Sequence, residues 1–90
     1  MHLLQIFNEL GKSTSYDDLW GHARDSGFKG TKQSMVNLVK GETVNPTPET
    51  IEAVRVAFVK ATKEWKPSLT KEVDAFFDKN YKEVTTDDDA

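Results

Sequence analysis

The chain has 90 residues, 37% hydrophobic and 30% charged, with a net charge of −3; this is enough material for one hydrophobic core and too little for two. It has no cysteine and only two histidines, His2 and His22, which excludes disulfides, thiolate zinc sites and thiol nucleophiles, and no metal or other cofactor is expected. No stretch approaches the ~20 apolar residues of a membrane span, and Asn8 and Glu9 cut the apolar patch around Leu3 and Phe7 short of a signal-peptide core, so a cytoplasmic protein without a membrane partner is expected.

The first predicted helix runs from His2 to Leu10, with Leu3, Phe7 and Leu10 on one face and Gly11 as its stop. Ser13-Thr14-Ser15 is a polar turn, in which Ser15 with Asp18, or Thr14 with Asp17, can cap the next helix. That second helix covers Tyr16 to Ser26, turns Leu19, Trp20 and Ala23 inward, and ends at Gly27. Phe28 is expected to plug the core from the short connection that follows. Thr31 caps a third helix, Lys32 to Lys40, whose buried stripe is Met35, Leu38 and Val39 and whose other face carries Lys32, Gln33, Val36, Asn37 and Lys40. Gly41 stops it in a left-handed conformation.

Glu42 to Pro46 reads as loop. Thr47-Pro48-Glu49 opens the fourth helix with a capping hydroxyl, a proline where no N–H is needed, and an acid near the positive end of the dipole. It continues to about Lys63, with Ile51, Val54, Phe58, Ala61 and Trp65 spaced as a seam. Pro67-Ser68 then opens a fifth helix, Leu69 to Lys82, with Leu69, Val73, Phe76, Phe77 and Tyr81 on its apolar face. Residues 83–90 are polar and acidic and are expected to be disordered. No alternating strand pattern appears, so the class is all-α.

Charge is unevenly placed. Residues 1–66 carry nine basic and eight acidic side chains, net +1, whereas residues 67–90 carry three and seven, net −4, ending in Asp87-Asp88-Asp89. A nucleic-acid partner is therefore compatible with the first part of the chain despite the negative total.

Two short helices joined by a tight turn form a helix-turn-helix arrangement. The segment from Thr31 to Gly41 resembles the recognition helix of lambdoid-phage repressors and the wider XRE family: a capping hydroxyl, polar base readers, two buried aliphatics and a glycine. Asn45-Pro46-Thr47-Pro48-Glu49-Thr50-Ile51 is similar to that family's Asn-Pro lead-in to its next helix. From Gly27 to Gly41 the spacing is two residues longer than the usual pattern, and this expanded turn resembles actinobacterial regulators of the EspR type. The resemblance covers about Leu19 to Phe58. It implies a lambda-repressor-like bundle of four helices (residues 1–66) plus a fifth (67–82), and a DNA-binding transcriptional regulator, most simply a nucleoid-associated repressor, whose partner is double-stranded DNA.

A recognition helix lies in the major groove with its amino-terminal part nearest the bases. Gln33 can pair two-fold with adenine, Lys32 can reach guanine or a phosphate, and Asn37 can take a second base one turn on; by the resemblance these three occupy base-reading positions. Val36, an apolar residue on the exposed face, either touches a thymine methyl or covers Met35. Thr31, Ser34 and Lys40 suit phosphate oxygens, as do Lys29, Asn45 and the backbone N–H groups near Tyr16.

For the fifth helix two readings stand: Leu69, Val73, Phe76 and Phe77 form a homodimer interface, or they pack back on the fourth helix and Trp65. The rival to DNA binding is a helix-turn-helix scaffold that binds a protein, antitoxin- or antirepressor-like, through residues 69–82. With no phosphate loop, nucleophile motif or carboxylate pair, an enzyme is not expected.

Overall fold

The computed structural model describes residues 2–42 and 46–81, and these form helices and turns without a strand. The helices are α1 (Leu3–Leu10), α2 (Tyr16–Asp25), α3 (Lys32–Val39), α4 (Pro48–Trp65) and α5 (Thr70–Tyr81), with 3-10 turns at Gly11–Ser13 and Pro67–Leu69. None is long and apolar enough to cross a membrane. The acidic tail and the expected loop contact Asn45 lie outside the described residues.

The starts of α1 to α4 obey a local rule. The hydroxyls of Ser15, Thr31 and Thr47 accept the N–H of Asp18, Ser34 and Thr50, each at 3.2 Å; such caps contribute about 1 kcal/mol each. The cap of α1 is His2, whose Nδ1 accepts from the Leu4 N–H at 3.3 Å.

The ends of α2 and α3 share one device. In α2 the Phe28 N–H donates to the Ala23 carbonyl and the Gly27 N–H to the Arg24 carbonyl; in α3, Glu42 donates to Asn37 and Gly41 to Leu38. These paired bonds close off orphan carbonyls around a residue of positive φ. Gly27 (φ 106°) and Gly41 (φ 80°) hold those positions, where a Cβ would be strained.

Phe28 is buried as expected. The six-residue connection from Ser26 to Thr31 is pinned over it: Gly30 packs so tightly that a Cβ there would lie 2.9 Å from Phe28 Cζ, and the Trp20 indole N–H donates to the Gly30 carbonyl at 3.2 Å.

One core joins all five helices, from Leu3 and Ile6 of α1 through Leu19, Met35, Leu38, Val39, Val54 and Phe58 to Val73 and Phe77 of α5. Burial of side chains this size stabilises by about 1.5–3 kcal/mol each. α4 packs against both α2 and α5. A buried polar tie supplements the contact with α5: Thr62 donates to the Val59 carbonyl at 3.0 Å, and its hydroxyl lies 2.9 Å from that of Thr70. At the surface Arg55 bridges Glu52 (2.9 Å) and Asp74 (3.2 Å).

Two expectations are corrected. Leu69, Val73, Phe76 and Phe77 are not a free dimerisation face, because all four are buried within the chain's own core. Their stripe is covered by α4 and by α1, where the His2 ring meets Phe76 edge-on at 5.5 Å. The same burial withdraws the apolar face proposed for protein binding through residues 69–82. Trp65 departs in the opposite sense: it was expected in the α4 seam and is 53% exposed, because it is the last residue of the helix.

Candidate nucleic-acid interface

With 3.6 residues per turn, α3 turns Met35, Leu38 and Val39 into the core and leaves Gln33, Ser34 and Lys40 exposed and Asn37 half-buried. Asn37 is half-buried because it lines a cleft of about 410 Å³ bordered also by Phe28, Ser34, Thr47 and Thr50. Val36 was expected on the open face. It is only 9% exposed, so the covered arc of α3 is wider than its sequence stripe suggested, and little of this side chain is left to touch a ligand.

The open side is organised by hydrogen bonds among its own members. Gln33 Nε2 donates to Asn37 Oδ1 at 3.0 Å, setting two side-chain amides one turn apart on the surface. The hydroxyls of Thr31 and Ser34 lie 3.1 Å apart while Thr31 also accepts the Ser34 N–H. One hydroxyl of that pair donates to the other, and the second keeps a proton for another acceptor.

The cations are not equivalent. Lys32 Nζ is drawn towards α2, where Asp17 Oδ1 lies 2.9 Å away. Both side chains are largely exposed, so the pair is worth under about 1 kcal/mol and can exchange partners, but it offsets one positive charge of the face. Lys29 and Lys40 are exposed and form no ion pair among the described residues. They place positive charge on either side of α3, Lys29 in a pocket that Glu49 and Glu52 also line.

The amino terminus of α2, expected to receive a phosphate near Tyr16, carries Asp17 and Asp18 in its first turn. Those carboxylates already sit at the positive end of the helix dipole and oppose a second anion there. Tyr16 itself stacks on Phe7 with ring centroids 4.1 Å apart, and this burial pushes its phenol above the ordinary value of 10.0. The structure thus places Lys32, Gln33, Ser34 and Asn37 on α3, Thr31 and Lys40 at its two caps and Lys29 in the connection before it, and sets Tyr16 apart in a ring stack. Asp17 is the member that sequence reasoning missed. Its pairing with Lys32 spans fifteen positions and two helices, and no local pattern announces it.

No family model matches the chain, and neither the curated proteins nor the solved structures yield a match. The functional reading therefore rests on the residues themselves.

Proposed function

We propose that this chain is a sequence-specific double-stranded DNA-binding regulator of the lambda-repressor-like helix-turn-helix class, with α2 and α3 as the paired helices and α3 as the reader. The observation that carries the reading is the division of α3: one side anchored in the core, the other presenting the linked amides of Gln33 and Asn37 with Lys29 and Lys40 at its two ends. Amides matched to adenine read sequence, and lysines on phosphates fix register. The near-neutral charge of residues 1–66 suits a protein whose non-specific affinity is low and whose discrimination comes from base contacts.

The test is selection from a random duplex pool followed by titration of the selected site at increasing salt. A defined motif is expected, with the logarithm of affinity falling against the logarithm of salt with a slope of roughly −3 if about three lysines displace counterions. Recovery of a palindrome reports two copies pairing through a surface other than the apolar face of α5; a single half-site reports a monomer. Failure to enrich any motif, with amide signals of Gln33 and Asn37 unmoved by duplex DNA at low salt, overturns the proposal.

A further inference from the structure

α4 ends in an indole that the chain does not cover. Trp65 is the exposed large hydrophobic side chain among the described residues. The other tryptophan has a cation of its own, the Arg24 guanidinium 5.0 Å from the Trp20 ring centre. Trp65 has none among the described residues, and the adjacent Lys66 is turned away to Glu9 Oε1 at 3.0 Å. The indole borders a groove of about 210 Å³ whose remaining walls are Ser13 and Thr14, Asp18 and His22 from α2, and Glu64. Neither Asp18 nor Glu64 forms an ion pair among the described residues.

Thr14 is an independent sign of a ligand. It is only 7% exposed, yet its hydroxyl has no hydrogen-bond partner among the described residues. Among the described residues no fully enclosed side-chain oxygen or nitrogen lacks a partner, so the Thr14 oxygen keeps some opening, and Thr14 is one of the residues that line the groove.

We infer that this groove is a docking site for an arginine side chain presented by a basic segment of a partner protein. A planar guanidinium stacks on the indole while its fork of N–H donors meets the carboxylates of Asp18 and Glu64 and the Thr14 hydroxyl. An ammonium group can sit over the indole but has neither a flat face to stack on it nor a planar fork for the carboxylates. A metal ion suits the site less, since no group of three His, Asp or Glu side chains among the described residues is arranged to hold one. A phosphate is opposed by both carboxylates, and an apolar side chain leaves them without donors. None of the groove residues belongs to the polar side of α3, so this site stands or falls independently of DNA reading.

The test uses the full chain labelled for NMR and the blocked peptide acetyl-Gly-Arg-Gly-Arg-Gly-amide, with citrulline and lysine versions as controls. A saturable shift is expected at the Trp65 indole N–H and at the amides of Thr14, Asp18 and Glu64, with none from the uncharged citrulline peptide. The lysine peptide should bind several-fold more weakly. Trp65→Ala and Glu64→Gln, both at exposed positions where the remaining amide spectrum should report an intact fold, each weaken binding by about fivefold. Equal binding of either control peptide overturns the inference. So do unchanged affinities in the two variants, or shifts as large at Asp25, Glu49 and Glu52 as at the groove.

Discussion

Gln33 and Asn37 are joined side chain to side chain at 3.0 Å across one turn of α3, so neither amide is free to turn without the other. The bond uses one donor of Gln33 and one acceptor position of Asn37, leaving the Gln33 oxygen and the Asn37 amino group to face a ligand. Each single alanine replacement is therefore expected to weaken the selected duplex by about 1–3 kcal/mol and to relax preference at its base. The double replacement should cost less than the sum, because either single change already releases the partner. Competition gel shifts with a site permuted at one position would measure both effects; strictly additive losses would show that the link does not order the pair.

Asp17 and Lys32 make the opposite kind of prediction, a gain. Asp17→Asn removes a negative charge 2.9 Å from Lys32 Nζ, and duplex binding at low salt should strengthen several-fold, with the advantage fading as salt rises. Lys40→Ala should weaken all sequences alike and reduce the salt slope by about 1. Lys32→Ala should matter less than Lys40→Ala, since its charge is already partly offset.

Phe77 tests whether α5 belongs to the core of the single chain. Its burial with Phe58 and Val73 in one cluster implies that Phe77→Ala destabilises by about 3–5 kcal/mol. The melting temperature of the unmodified protein should not change with protein concentration on this account. A strong concentration dependence would show that copies of the chain associate, and would return α5 to the role of an interface only if substitutions on α5 abolished it.

Gly30→Ala should strain the connection between α2 and α3. A Cβ there meets Phe28 Cζ at 2.9 Å and Ser34 Cβ at 3.2 Å, and overpacking of this kind costs about 1–3 kcal/mol. Because the Gly30 carbonyl accepts the Trp20 indole N–H, the Trp20 indole signal should move as well, while that of Trp65 stays in place.

Tyr16 sets an alkaline limit. Desolvation against Phe7 raises its phenol above 10.0 in the folded chain, so the native state holds this proton more tightly than the unfolded state does. The contribution is fully present below the unfolded value of about 10 and is lost as pH rises through the folded one. Chemical denaturation of Tyr16→Phe beside the unmodified protein should therefore run parallel up to about pH 9 and diverge above pH 10, the variant declining less.

The elements of this protein were legible because their signals are short-ranged. Thr31 and Thr47 cap the helices they were expected to cap, Ser15 rather than Thr14 caps α2, and Gly27 and Gly41 close α2 and α3, since a cap or a positive φ is decided within about four residues of chain. Phe28 could be assigned inward from its place in a polar connection.

Exposure was a different matter. The periodic stripe on the fifth helix announced that Val73 and Phe77 would be covered but was silent on whether a second copy or α4 would cover them, and tertiary packing chose the latter. Val36 and Trp65 changed places with respect to solvent for the same reason: a helix face is buried only as far as its neighbours extend. The approach of Asp17 to Lys32, and of Thr14 to Glu64 and Trp65, likewise exists only once α2, α3 and α4 have docked. Local chemistry determined where each helix starts and stops, and three-dimensional packing decided which side chains remain available to a partner.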